Sequence, residues 1–280
     1  MSLLSTVLLS AAMASPLSPE VVKGEALFVA NDLKASNAAL DRALAANPND
    51  VEAMWRKARN LYSQGEIDAQ GGATSAQRIA TYEEVLALAK RAQAADPSHP
   101  QGLFWEGTAL GRIATAKGIL SSLFMADDIE RAWLKASNMK GFTYRAVNGA
   151  SSFPGDTYFA LGQFYRLCPD WAIVKVLTGT KGDIDESIRW LRKGVSDGPD
   201  RLEMSKELGV SLLCKAERDD DAAALAEGRK VLQAALKMPQ RQKTETIDVK
   251  QIPIILERAD QACGYSRDGW QDVSRESYGK

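Results

Sequence analysis

The chain of 280 residues is 45% hydrophobic and 25% charged, with a formal net charge of −1 and a pI of about 6.0. This balance is that of an ordinary soluble protein, and it argues against partners selected by charge, such as nucleic acid or an acidic membrane surface. Ala, Leu, Glu, Lys and Arg dominate the composition, whereas alternating runs of Val, Ile and Thr are scarce. The composition therefore predicts an all-α fold, with enough chain for a run of stacked helical units.

The first residues form an uncharged apolar segment. Leu3 to Met13 is apolar and small, and Ala12-Met13-Ala14 before Ser15-Pro16 fits a signal-peptidase cleavage site. No Lys or Arg precedes this run, and the run is too short to span a membrane. We predict a signal peptide at residues 1–14 and a periplasmic or secreted mature protein. The alternative is a cytoplasmic protein in which this stretch is the frayed start of a helix.

Helical hairpins recur along the chain, and prolines mark their ends. The first hairpin ends at Pro48, and the second, which carries Trp55 in its first helix, ends at Pro97. A proline stops a helix and turns the chain into the next unit. Compared with a repeat of about 34 residues, the second hairpin has extra residues at 65–77, where Gly71-Gly72 favours a turn. We expect a mobile loop between its two helices.

Three further hairpins are predicted at residues 105–136, 158–199 and 202–239, and the middle one of these contains an insertion at 167–182. Residues 247–263 are predicted to form a last helix that caps the exposed edge of the stack. The chain after Gly264 is polar, so we expect residues 265–280 to be a frayed tail. This assignment leaves residues 15–264 as one repeat domain.

The stretch from Tyr158 to Tyr165 carries the clearest repeat motif. Tyr158, Leu161 and Tyr165 fall on one helical face, and the small Gly162 lets a partner helix approach closely. This spacing resembles the first helix of a tetratricopeptide repeat (TPR). The resemblance implies a TPR-like solenoid of helical hairpins, with insertions inside repeats and a capping helix at the C-terminal end.

A longer resemblance covers residues 55–236. Trp55-Arg-Lys-Ala-Arg59, the segment from Gly118-Ile to Ile129-Glu-Arg-Ala, and Leu161-Gly-Gln-Phe-Tyr followed by Pro169-Asp-Trp are similar to motifs of the regulator of microtubule dynamics family. This resemblance implies a helical, non-enzymatic protein. Microtubule binding is not carried over, because no basic surface for tubulin is evident and a signal peptide is predicted. The layout also resembles the TPR-fold periplasmic T-component of TRAP transporters, which partners a solute-binding protein.

Residues equipped for catalysis are scarce. His99 is the only histidine, and its place in the Asp96-Pro-Ser-His-Pro100 turn favours a capping role. No enzymatic activity, cofactor or metal site is predicted. The three cysteines, Cys168, Cys214 and Cys263, show no zinc-binding spacing. We interpret them as buried small apolar residues, with one disulfide as the alternative in an oxidising compartment.

The concave face is the predicted binding surface. In stacked hairpins the first helices line this face, and residues just after the large core positions point into it. Cationic residues there would hold the carboxylates of a peptide, and a phenyl ring would take an apolar side chain. The predicted partner-binding residues are Arg56, Asn60, Phe159, Gln163, Arg166 and Lys206.

Two functions follow from this surface. The first is a non-enzymatic scaffold that recruits a protein or peptide partner. No nucleic-acid partner and no integral membrane span are predicted for it. The second is a periplasmic solute-handling accessory component of a transporter. An open charged groove favours the first function, and a closed apolar channel favours the second. The sequence leaves the oligomeric state open.

Overall fold

A computed structural model describes residues 16–118 and 120–273. The predicted signal peptide, residues 1–14, lies outside these described residues. Most of the described residues are helical, and the strands among them are two residues long and lie in two-stranded pairs. The prediction of an all-α fold is therefore confirmed.

The helices pair in chain order into five antiparallel hairpins, as the sequence predicts. The helix bounds are α1 Pro19–Val29, α2 Leu33–Ala46, α3 Val51–Gln70, α4 Ser75–Ala95, α5 Pro100–Lys117, α6 Ala126–Asn138, α7 Gly155–Leu167, α8 Ala172–Thr178, α9 Ile184–Asp197, α10 Leu202–Asp219, α11 Ala222–Ala235 and α12 Lys243–Glu257. Helices α1 to α6 form the first three hairpins, α7 pairs with α9, and α10 pairs with α11.

Side-chain caps fix where many of these helices begin. Asp32, Asp50, Thr74, Asp183 and Asp221 each accept a hydrogen bond from a backbone N–H in the first turn of the following helix. The first N–H groups of a helix have no partner within the helix, so such caps stabilise each start by about 1 kcal/mol. The local sequence therefore sets the boundaries of the repeats.

Gly162 has the packing role that its motif predicts. A Cβ atom added there would lie 2.3 Å from Cγ of Leu191 on α9, so only glycine allows the two helices this close. The approach also lets Ser187 Oγ donate a 2.6 Å hydrogen bond to the Gly162 carbonyl. The hairpin of α7 and α9 is thus held together at the position that the sequence marks.

Both insertions are largely helical, and the first of them differs from expectation. The prediction of a loop at 65–77 is wrong, because α3 continues to Gln70 and α4 begins at Ser75. A capping box between Thr74 and Gln77 starts α4, and Gly72 takes the positive φ of the short turn. The insertion after α7 folds into the short helix α8, which packs against a 3-10 helix at Leu120–Met125.

The C-terminal segment closes the stack on itself. Helix α12 packs on α10 and α11 but also reaches α3, so it does more than cap the last hairpin. A 3-10 helix at Ala259–Gly264 then leads into the paired strands β3 Tyr265–Ser266 and β4 Gly269–Trp270, while β1 Tyr144–Arg145 and β2 Ser152–Phe153 pair before α7. We call residues 259–270 the C-terminal strap.

The prediction of a frayed tail at 265–280 is wrong for its described part. Tyr265 is fully buried, and Arg267 is 7% exposed. Arg267 Nη1 lies 3.1 Å from Glu66 Oε2 on α3, and its carbonyl accepts a 3.1 Å hydrogen bond from Gln70. Residues 274–280 lie outside the described part of the chain.

A disulfide between Cys214 on α10 and Cys263 fixes the start of the strap. The interpretation of all three cysteines as unpaired is therefore wrong for these two, and it holds for the buried thiol of Cys168. Among the described helices, none combines the length and apolar character needed to cross a membrane.

Candidate binding site

A cavity of about 180 Å³ lies on the concave side of the repeats. Its walls come mainly from the first helices of the hairpins, α3, α5 and α7, together with α6 and the 3-10 helix at Leu120–Met125. Ser266 and Arg267 of the strap complete the wall. The protein's own chain therefore covers part of the groove between the hairpins, which leaves a partly open cavity there.

One side of the cavity is apolar. Trp133 is oriented by a 3.1 Å hydrogen bond from its Nε1 to the Phe104 carbonyl, and its ring packs edge-on against Phe164. Burial raises the pKa of the Cys168 thiol to about 12, so this thiol is a neutral apolar group and not a nucleophile at neutral pH. The apolar lining comprises Phe104, Leu123, Ala126, Ile129, Trp133, Ala160, Phe164, Leu167 and Cys168.

The other side is polar and is built from ion pairs. Glu66, which is 2% exposed, lies 2.6 Å from Arg112 and also accepts a 2.6 Å hydrogen bond from the Tyr82 hydroxyl. Asp268 of the strap lies 2.9 Å from Arg112 and 2.8 Å from Arg78. These contacts join α3, α4 and α5 to the strap, so the ion pairs of the polar wall also hold the strap against the repeats.

Two of the predicted partner-binding residues reach the cavity. Phe159 and Gln163 of α7 both line it and are only partly buried. The rule that residues after the large core positions point inward therefore places these two side chains where a ligand could contact them. Their part in binding a partner stays a prediction.

Arg166 and Lys206 also point inward, but the strap and α12 cover them. Arg166 is 1% exposed, pairs with Glu207 at 2.8 Å and donates hydrogen bonds to carbonyl oxygens of the strap, including that of Tyr265 at 2.7 Å. Lys206 is fully buried and lies 2.6 Å from Asp248. The expectation that these cations are open to a peptide carboxylate is wrong in this structure, because the chain's own acids and carbonyls already hold them.

Arg56 and Asn60 of α3 pack against the first hairpin and not against the cavity. Arg56 is 4% exposed and pairs with Glu25 of α1 at 2.9 Å, while Asn60 is fully buried and donates to Ser36 of α2 at 2.7 Å. Neither residue lines the cavity. The expectation that they are exposed in the groove is also wrong, because the first hairpin packs over this face of α3.

The residues that sequence reasoning missed belong to the strap and to the polar wall. Arg267 and Asp268 sit in a stretch classed as a polar tail, yet both make buried ion pairs with residues far earlier in the chain, Glu66 and Arg112. A signal was present: Tyr265 and Trp270 flank them, and Cys263 precedes them. Two large aromatic residues in a short segment favour burial over fraying.

His99 has the capping role predicted for it. Its ring accepts from the Gln101 N–H at the start of α5, and its Nε2 lies 3.0 Å from Glu52 Oε1. The ring also packs edge-on against Phe142. The only histidine is thus used in holding two hairpins together.

Comparison with known proteins bears on the fold. Residues 21–76, in the first two hairpins, match the family model of the tetratricopeptide repeat. A thermophilic TPR protein of Thermus thermophilus is 18% identical, with a TM-score of 0.48, over 86% of this chain and 96% of that chain. A double mutant of MamA RS-1 is 14% identical, with a TM-score of 0.39, over 79% of this chain and 96% of that chain. No match was found among curated proteins.

The repeat match agrees with the first two of the hairpins seen in the structure. Tetratricopeptide repeats generally mediate contacts between proteins, and stacked repeats offer concave surfaces for this purpose. In this chain α12 contacts α3 and α10, and the strap contacts α7 and α10 and adds Ser266 and Arg267 to the cavity wall. The chain is an all-α array of helical hairpins, and its residues 21–76 are similar to the tetratricopeptide repeat.

Proposed function

We propose that this protein is an exported, non-enzymatic binding protein that holds a small, mainly apolar molecule in its central cavity. The observation that carries this proposal is the cavity of about 180 Å³ on the concave face, whose lining is mainly apolar. An engineered apolar cavity of about 150 Å³ is enough to bind benzene. Of the two functions that follow from the sequence, a solute-handling accessory component fits this geometry better than a receptor for an extended peptide.

Export is supported by the disulfide. Cys214 and Cys263 are bonded across 49 residues of chain, and such bonds persist in oxidising compartments such as the bacterial periplasm. Together with the apolar segment and small-residue cleavage pattern at residues 1–14, this bond favours a periplasmic or secreted protein. The resemblance to the periplasmic T-component of TRAP transporters agrees with this location.

Isothermal titration calorimetry with octan-1-ol tests the cavity. We expect saturable binding of one molecule with a dissociation constant on the order of 0.1 mM. Ala160→Phe, which adds a ring to the cavity wall, should weaken binding at least about 10-fold. Ala80→Phe adds the same ring on an exposed position of α4 and should leave binding unchanged. Absence of binding to the folded parent protein, or equal binding by both variants, would refute the cavity as the ligand site.

A protein partner is the second candidate function, and an exposed apolar surface favours it. Val176 and Leu177 on α8 are 79% and 53% exposed, and Phe124 on the neighbouring 3-10 helix is 80% exposed. Ser122 and Leu123 of that 3-10 helix line the cavity. A partner protein docked on this surface would therefore contact the same elements that enclose the ligand.

Pull-down from the native envelope tests the docking surface. We expect Val176→Asp to reduce recovery of a co-purifying partner at least about 10-fold, because a carboxylate in an apolar interface must be desolvated. Val147→Asp is the matched control, since Val147 is 95% exposed in the turn between β1 and β2. Equal recovery with both variants would exclude α8 as the contact.

A further inference from the structure

The cavity joins an apolar wall to a polar wall, and the charge of the polar wall bears on which ligand it accepts. The charged residues that line it, among those described, are Arg59, Glu66, Arg112, Asp156, Arg201, Glu203 and Arg267. Four of them are arginines, the usual residues for binding a carboxylate or phosphate. Whether they are available depends on the partners that each guanidinium already has.

The guanidinium groups of Arg112 and Arg267 are already neutralised. Arg112 lies 2.6 Å from Glu66 and 2.9 Å from Asp268, so it has two carboxylate partners. Arg267 lies 3.1 Å from Glu66 and 2.8 Å from Asp248, with Nε donating a second bond to the same aspartate at 3.1 Å. Neither cation has an uncompensated charge to offer a ligand.

The remaining two arginines are paired in the same way. Arg201 is 2% exposed and forms ion pairs with both Asp156 and Glu203. Arg59 is 3% exposed, lies 2.8 Å from Glu25 and donates to the Tyr144 hydroxyl at 2.6 Å. The acids that line the cavity are in turn all held by these arginines, so they are not open to a cation.

We infer that the cavity selects an uncharged molecule, with an apolar body against Trp133 and Phe164 and a hydrogen-bonding group toward the polar wall. An ion entering this site would lose its water without gaining a free counter-charge. To gain one it would have to break a buried ion pair, which is strongly unfavourable because it leaves a buried charge uncompensated. A neutral hydroxyl or carbonyl avoids both costs. This inference rests on the proposed use of the cavity as a ligand site.

Titration calorimetry at pH 7.5 with three ligands of equal chain length tests the selection. The ligands are octan-1-ol, octanoate and octylammonium, which share an apolar body and differ in head-group charge. We expect octan-1-ol to bind at least about 10-fold more tightly than either ion. Tighter binding of octanoate or octylammonium would overturn the inference while leaving the cavity as the site. Failure of all three to bind would instead refute the proposed function.

A variant that removes one carboxylate from the polar wall tests whether charge compensation causes the selection. Glu66→Gln removes a carboxylate shared by Arg112 and Arg267, so the affinity for octanoate relative to octan-1-ol should rise at least about 10-fold. Glu227→Gln removes an exposed carboxylate that pairs with Arg192, and it should leave this ratio unchanged. If circular dichroism shows Glu66→Gln unfolded, Glu203→Gln, which removes one carboxylate partner of Arg201 and one of Arg267, takes its place. An unchanged ratio in the folded variant would overturn the inference.

Discussion

Replacing Cys214 and Cys263 by serine is expected to lower the free energy of unfolding by about 2–4 kcal/mol. The two cysteines are 49 positions apart, and loss of the constraint on this loop raises the entropy of the unfolded chain. Urea unfolding followed by circular dichroism measures the change, and the slope against urea reports whether the strap stays docked. A larger loss than the loop entropy predicts would mean that the strap detaches when its anchor is removed.

Reduction provides the matched control for this variant. Under a reducing agent the parent protein should fall to the stability of the double variant, whereas the double variant should not respond. Alkylation of the denatured, unreduced parent protein should label one thiol, that of Cys168, and reduction should raise the number to three. Three reactive thiols before reduction, or equal stability of parent and variant, would contradict the bond.

The repeat architecture could be predicted because its signals are local. Prolines at the hairpin ends, cap residues such as Asp50 and Asp221, and Gly162 at the tight helix crossing all act within one hairpin. A helix start or a close helix approach depends on neighbouring residues along the chain or in the paired helix. The sequence therefore predicts which helices pair, and the structure confirms this pairing.

The position of the strap over part of the concave face could not be predicted in this way. It depends on contacts such as Arg267 with Glu66, which are 201 positions apart, and repeat periodicity carries no information about such pairs. The lack of a local signal for such contacts also explains why the exposure of the predicted site residues was not predicted correctly. The direction of Arg166 and Lys206 follows from helical spacing, but their burial follows from the strap and α12, which no local pattern places over them. Phe159 and Gln163 remain at the cavity because nothing covers them to the same extent.

Replacing Arg166 by methionine is expected to lower the free energy of unfolding by about 3–5 kcal/mol. The substitution leaves Glu207 buried with one cationic partner, Lys206, and removes the hydrogen bonds that hold the carbonyl of Tyr265 and its neighbours in the strap. Arg192→Met is the control, because Arg192 is 53% exposed in its pair with Glu227 and should contribute at most about 1 kcal/mol. Urea unfolding distinguishes the two variants, and equal losses would contradict a structural role for the buried pair.

The loss of stability at acid pH tests the same pair, Arg166 and Glu207, through the titration of the Glu207 carboxylate. Burial alone would raise the pKa of Glu207, but the charges of Lys206 and Arg166 outweigh burial and hold this pKa at about 2, below its ordinary value of 4.5. A lowered pKa contributes stability that is complete above pH 4.5 and is lost as the pH falls toward 2. Arg166→Met removes one of the two cations, so its acid-unfolding midpoint should move to higher pH than that of the parent protein.

The double variant Arg166→Met with Glu207→Gln separates the charge from the packing. Removing both charges relieves the unpaired carboxylate, so the double variant should recover part of the stability that the single variant loses. Its unfolding should also depend less on pH between about 4.5 and 2, because the titrating group is gone. A double variant as unstable as the sum of the two single variants would show that Arg166 acts mainly through its bonds to the strap carbonyls. In that case the disulfide and Arg166 both hold the strap in place. The losses in free energy of unfolding caused by removing each of them should then not add.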